Sequence, residues 1–322
     1  MSTMTEVLDN FSASQKRFVF GGVTAAVLAA TAGWVAYRAN RAERNDPQAG
    51  TFMDVDGTRI HYLERGLGPV IVLLHGNALR LEDFVAAGMM DRLSKDHRVI
   101  AFDRPGFGHS DRPRRRSWTP DAQAELLQKA LKRLGVSNAI IVGHSWGTLA
   151  AIALTLRDQT AVRRLVLISG YYFPDARLDV LLAAPAAIPG IGDVLRYTVS
   201  AVFARLTLER SIKAMFYPKP VPPGFLPMLS REMLVRPLQL RADAEDGAFM
   251  IPAARSLSKQ YAEITVPVVI FAGADDKVVS PDKQARKLHA QLNRSELHVM
   301  PGEGHMVHYG QLEQIIAAVK ST

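Results

Sequence analysis

At 322 residues, 48% hydrophobic and 22% charged, the chain has the composition of a globular protein of one or two domains, which excludes a disordered one. A formal charge of +8 suits anionic lipid, nucleic acid or plain solubility equally, so its sign selects no partner. Zero cysteines exclude disulfides and thiolate metal sites and leave the redox compartment open.

The first predicted element is Phe18 to Tyr37, "FVFGGVTAAVLAATAGWVAY", 20 residues without a formal charge. As a helix it measures about 30 Å, the thickness of a bilayer core. Lys16 and Arg17 precede it, Arg38, Arg41 and Arg44 follow, and Trp34 and Tyr37 stand where an interfacial aromatic belt would lie. The expectation is a single-pass N-terminal membrane anchor. "ATA" at Ala30 to Ala32 keeps a cleaved secretory signal, with a secreted or periplasmic product, as the alternative. Positive charge is similar on both flanks, so the sequence assigns no orientation. Residues 38–50, "RANRAERNDPQAG", have the polar composition of a linker. Residues 1–50 are therefore read as anchor and linker.

A folded domain follows. "TFMDVDGTRIHYLERG" turns at Asp56-Gly57, which predicts a hairpin of two antiparallel strands. Six short continuous apolar runs come next: "PVIVLLHG", "HRVIAFD", "NAIIVGH", "RLVLISG", "PVVIFAG" and "ELHVMPG". Helix-length segments such as 121–134 and 146–157 separate most of them. Strands apolar on both faces are buried on both faces, so the alternation predicts an α/β fold, a mostly parallel sheet with helices on each side. In such folds the active site lies at the carboxyl ends of the strands. One long gap breaks the pattern. Residues 171–262 are rich in proline and carry apolar helical runs such as "DVLLAAPAAIPGIGDVL", too long for a loop and read as a helical cap, or lid. The core is then 51–170 with 263–322. "RPRRR" at Arg112 to Arg116 reads as a solvated loop.

Within that frame "VGHSWGT" sets Ser145 between a buried strand and a helix opening "WGTLAAIALTLR". The turn between them is sharp, holds the serine in a strained conformation, and aims the positive end of the helix at it. A serine needs a general base to become nucleophilic, and the base needs an orienting carboxylate. Both follow in order: "VVIFAGADDKVVSP" places two acids past one strand and "LHVMPGEGHMVHY" places a histidine past the next.

Taken together, "LLHGN", "FDRPGFGHSDRP", "VGHSWG", "GADDKVVSP" and "PGEGHMVH" resemble the α/β hydrolase superfamily, over roughly residues 52–322. The resemblance implies that Ser145 is the nucleophile, His305 the general base and Asp276, by the GxxD spacing from Gly273, the acid, with Asp275 as the other candidate. It also implies an oxyanion hole from the backbone amides of Asn77 and Trp146. The implied activity is that of a serine esterase or lipase-like carboxylic ester hydrolase acting through an acyl-enzyme on a hydrophobic ester. Dehalogenase-like and epoxide hydrolase-like relatives use aspartate at the elbow, where this chain has Ser145. C–C bond hydrolases, cofactor-free haloperoxidases and aminopeptidases resemble it there and remain alternatives, as does a non-catalytic, membrane-tethered binding module.

His75 and His144 read as structural, and His109 and His308 as structural or surface residues. His305 and His308 alone do not make a metal site, and no dinucleotide or P-loop fingerprint occurs, so neither metal nor cofactor is expected. The expected partners are a small hydrophobic substrate and a membrane, with no nucleic acid. The sequence assigns no oligomeric state.

Overall fold

The computed structural model describes residues 12–46, 49–176 and 178–321. Residues 1–11 of the expected anchor segment lie outside the described residues. The first helix, α1 (Ala13–Asn45), opens on a capping box in which the Ser12 hydroxyl accepts from the Gln15 amide. Its most apolar 18-residue window has a mean hydropathy of 1.8 and is almost wholly exposed, so α1 is long and apolar enough to cross a membrane.

The linker reading of residues 38–50 is corrected for 38–45, which continue α1 without a break. Val35, Ala39 and Ala42 recur at helical spacing and bury a narrow seam against the body. Around that seam Arg38 pairs with Glu232 at 2.7 Å and Glu43 with Arg236 at 2.7 Å. Just past the helix, Asp46 bonds to buried Arg80 and His109, both of which lower its carboxyl pKa against the opposing cost of burial. Polar composition suggested a solvated linker because the partners of these charges lie far along the chain.

Thr51–Val55 (β1) and Thr58–Arg65 (β2) form the expected hairpin, with positive φ at Asp56 and Gly57 as its two-residue turn demands. All six apolar runs are strands: β3 (Val70–Leu74), β4 (Arg98–Phe102), β5 (Ala139–His144), β6 (Val162–Ile168), β7 (Val268–Gly273) and β8 (Ser295–Met300). The sheet has eight strands in the order β1-β2-β4-β3-β5-β6-β7-β8, antiparallel up to the β2–β4 pair and parallel from there. Helices α2 (Pro120–Arg133) and α3 (Gly147–Arg157) cover one face, burying Leu126, Leu127, Leu149 and Ile152. Short helices at Glu82–Ala86 and Met89–Leu93 cover the other, together with the C-terminal Leu312–Lys320.

Between β6 and β7 the chain builds helices of its own. The run "DVLLAAPAAIPGIGDVL" is broken at Pro185 and Pro189 into Leu178–Ala183, a 3₁₀ turn at Ala184–Ala187, and α4 (Ile191–Tyr197). Then come α5 (Val199–Phe216), two short helices, and α6 (Pro237–Leu257). These helices stand over the carboxyl ends of the parallel strands and, with them, line the cavity described next.

Candidate active site

Ser145 follows β5 directly and has φ +51°, a left-handed backbone rarely tolerated by a side chain. Its flanking glycines make this geometry feasible. A Cβ on Gly147 would lie 2.6 Å from the His75 carbonyl oxygen and run into that of Leu74, and one on Gly143 would lie 2.9 Å from the Thr148 amide. Strand and helix thus approach only because both positions lack a side chain. The helix that follows points its N-terminus at the serine.

Ser145 Oγ lies 2.9 Å from His305 Nε2, and His305 Nδ1 lies 2.8 Å from Asp276 Oδ2. The other Asp276 oxygen accepts from the amides of Val278 and Val279 at 2.7 and 2.9 Å, which fixes the plane of the carboxylate. An imidazole donating from Nδ1 to Asp276 leaves Nε2 free to accept the serine proton. Asp275 points elsewhere: its Oδ2 accepts from the Gly302 amide at 3.0 Å and so holds the histidine loop. The loop is also tied to the cap, because the His305 amide donates to the Met215 carbonyl at 3.1 Å.

The other two sequence-selected residues flank the serine. A Cβ on Gly76 would stand 3.0 Å from Ser145 Cβ, so the turn carrying Asn77 passes directly against it. The amides of Asn77 and Trp146 donate to no other group among the described residues. The site opens into a cavity of about 660 Å³, lined by Val180, Ala214, Met215 and Met250 with Trp146 and Lys277. The Lys277 ammonium sits 3.5 Å from the centre of the Tyr217 ring.

Several participants were not legible in the sequence. Arg104, wholly buried, donates to the carbonyls of His75 and Gly76 at 2.9 and 3.1 Å and stacks 4.2 Å from the Trp146 ring. It pairs with Asp246 on α6, which also binds Arg112 at 2.9 Å. Trp146 Nε1 donates to the Asp246 carbonyl at 2.9 Å. One aspartate of the cap therefore clamps the turn that carries Asn77. Arg112 is accordingly corrected from solvated loop to buried ion pair, while Arg114 pairs at the surface with Asp193. Asp243, one turn before Asp246, accepts from the Ala78 amide at 2.7 Å. Desolvation there pushes its carboxyl up to about 7, with the Ala78 bond opposing and the Asp246 charge adding to the shift.

The other histidines singled out in the sequence, His75, His109, His144 and His308, are all buried. Burial, aided by the Arg104 charge, pushes His75 down to about 3, and the neutral ring accepts from the Arg104 amide at 3.0 Å. Burial and the neighbouring His308 hold His144 well below the ordinary histidine value. His308 is buried against Asp83 at 3.0 Å, and His109 is buried against Asp46, so neither is a surface residue. Asp83, His144 and His308 come together with three ligand-type atoms within 4.8 Å of one another. His308 Nε2 and the Tyr309 hydroxyl bond to Asp83, whereas the Nδ1 atoms of His144 and His308 are buried without a hydrogen-bond partner among the described residues.

The chain belongs to the alpha/beta hydrolase fold family, whose pattern matches residues 69–311. It is similar to 2-hydroxymuconate semialdehyde hydrolase of Pseudomonas sp. strain CF600, 27% identical over 84% of this chain and 92% of that one. It is also similar to haloalkane dehalogenase 2 of Mycobacterium tuberculosis strain H37Rv, 26% identical over 85% and 96%. A solved structure described as a membrane phospholipase A and bacterial virulence factor superposes with a TM-score of 0.66 at 22% identity, over 95% of this chain and 100% of that one. The protein is thus an enzyme-family hydrolase, with the fold shared across relatives of different chemistry.

Proposed function

We propose that the protein is a serine hydrolase that cleaves esters of a hydrophobic acid or alcohol through an acyl-enzyme. The observation that carries this reading is the hydrogen-bonded series Ser145–His305–Asp276 at 2.9 and 2.8 Å beneath a largely apolar cavity. Ser145 Oγ attacks the ester carbonyl as His305 Nε2 takes its proton, and the developing oxyanion is met by the amides of Asn77 and Trp146. The tetrahedral species collapses, the alcohol departs with the proton from His305, and Ser145 keeps the acyl group. Water, deprotonated by the same nitrogen, then releases the acid and restores the serine. Asp276 holds the imidazole in the required tautomer and stabilises its cationic form.

Serine at the elbow argues against dehalogenation, in which the nucleophilic oxygen belongs to a carboxylate. Hydrolysis of a C–C bond is the second reading, favoured by the semialdehyde hydrolase relative. Against it stands the cavity lining, where the one cation among the described residues is Lys277 on the Tyr217 ring, a poor grip for an anionic substrate. The exposed apolar α1 supports a membrane anchor, which would deliver hydrophobic substrates to the cavity. An alkyl fluorophosphonate tests the mechanism: it is expected to label the protein at Ser145, and Ser145→Ala is expected to lose both labelling and p-nitrophenyl ester turnover while staying folded. Full turnover in that variant would overturn the assignment, and absent labelling of the parent would favour a binding module.

A further inference from the structure

The outer face of the cap is as unusual as its inner one. On α5, Val199, Val202, Phe203 and Leu206 stand at i, i+3, i+4 and i+7, a single helical stripe, and they are 37–78% exposed. Helix α4, packed against α5, adds Ile191 and Val194, both more than half exposed. Monomeric soluble proteins seldom leave so many large aliphatic side chains together in water.

The patch lies where α1 leaves the body. Arg38 of α1 and Arg205 of α5 both stack on Trp34, at 5.8 and 5.0 Å from its ring centre, and Arg205 adjoins Leu206 in the stripe. Helix α1 also packs on α4. On the N-terminal side of Trp34, α1 exposes Phe18, Phe20, Val23 and Val27. Further along the stripe of α5, at i+4 and i+7 from Leu206, stand Arg210 and Lys213, both exposed. Beyond them Ala214 and Met215 line the cavity beside Ser145. The same helix therefore carries the aliphatic stripe, two cations along it and, at its C-terminal end, residues that line the site.

We propose that the α4–α5 face of the cap lies on the bilayer that α1 spans, with its aliphatic side chains in the headgroup–acyl boundary and Arg210 and Lys213 against anionic headgroups, so that the cavity opens onto lipid. The proposal rests on the anchor reading of α1. Continuity with the span and the charge complementarity of the two cations select a lipid surface as the occupant. The cap thereby becomes a second membrane contact that fixes how the body is tilted over the bilayer.

With no native cysteine, single-cysteine labelling of the full-length protein is clean. Leu206→Cys and Val194→Cys would be labelled with an environment-sensitive fluorophore in vesicles of phosphatidylcholine and phosphatidylglycerol, with spin-labelled lipid as quencher. Ala26→Cys reports on α1 alone, and exposed Ser137→Cys, preceding β5 at the opposite end of the sheet, is the aqueous control. The expected result is quenching at positions 206 and 194 of at least half that at 26, with none at 137. Quenching at 26 but not at 206 and 194 would overturn the docking face and leave the anchor standing. No quenching at 26 would overturn the anchor and the docking face with it. Label self-quenching at 206 that persists in detergent would assign the face to a second copy of the chain and overturn the lipid assignment.

Discussion

Where the sheet side of the site is held by backbone geometry, the cap side is held by buried charge. Ser145 and the turn at Gly76 keep their places because strand and helix close on glycines, with contacts among residues near in sequence or on adjoining strands. The cap meets that wall through Asp246, whose carboxylate binds Arg104 and Arg112 where none of the three is exposed. Geometry of the first kind is robust to the surroundings. A buried ion pair is conditional, since removing one member leaves uncompensated charge in a medium that solvates it poorly. The proposed chemistry is thus anchored to the sheet, and the docking of the cap depends on a few carboxylates.

The sharpest break of the sheet side is at the acid. Asp276→Asn is expected to lower kcat about ten-thousandfold, because the imidazole loses its tautomer. Asp275→Asn, at a side chain that bonds to the Gly302 amide and not to His305, is expected to stay within about tenfold. Ester turnover at saturating substrate checks both, and the reverse ranking would show that the carboxylates have exchanged roles.

On the cap side, Asp246→Ala strands the buried Arg104 guanidinium, leaves Arg112 to Glu245 alone, and is expected to cost about 3–5 kcal/mol of stability. Denaturant unfolding monitored by intrinsic tryptophan fluorescence is the measurement, since Trp146 bonds to the Asp246 carbonyl. A loss below about 1 kcal/mol would mean that the clamp contributes no more than a surface pair.

The smallest effect concerns Asp243. Its carboxyl is pushed from an ordinary 3.8 up to about 7 in the folded protein. Between those values the native state holds a proton that the unfolded chain has released, so its contribution to stability is complete below about 4 and lost as the pH rises through about 7. Asp243→Asn is expected to raise the melting temperature at pH 8 by a few degrees and to change it little at pH 4. Equal shifts at both pH values would place the effect in packing and not in ionisation.

Legibility followed the same divide. The hairpin was readable because Asp56-Gly57 supplies the two positive φ values itself, and the strands because burial on both faces leaves unbroken apolar runs. Ser145, Asp276 and His305 each follow a strand at short range, which a local pattern records. Arg104 and Asp246 are 142 residues apart, and nothing in either neighbourhood marks the pairing. For the same reason residues 38–45 read as a linker: their seam is narrow and their ion-pair partners sit in the cap. His308 reads as either structural or surface because its partner, Asp83, lies 225 residues upstream.

The amide of His305 hangs on the Met215 carbonyl at the end of α5. A designer who exchanged this cap for that of another hydrolase, to change substrate preference, would also be exchanging a support of His305, the proposed proton acceptor. Recombination at 171 and 262 would therefore succeed only with donors that present a carbonyl at the position of Met215, and specificity and turnover would have to be retuned together.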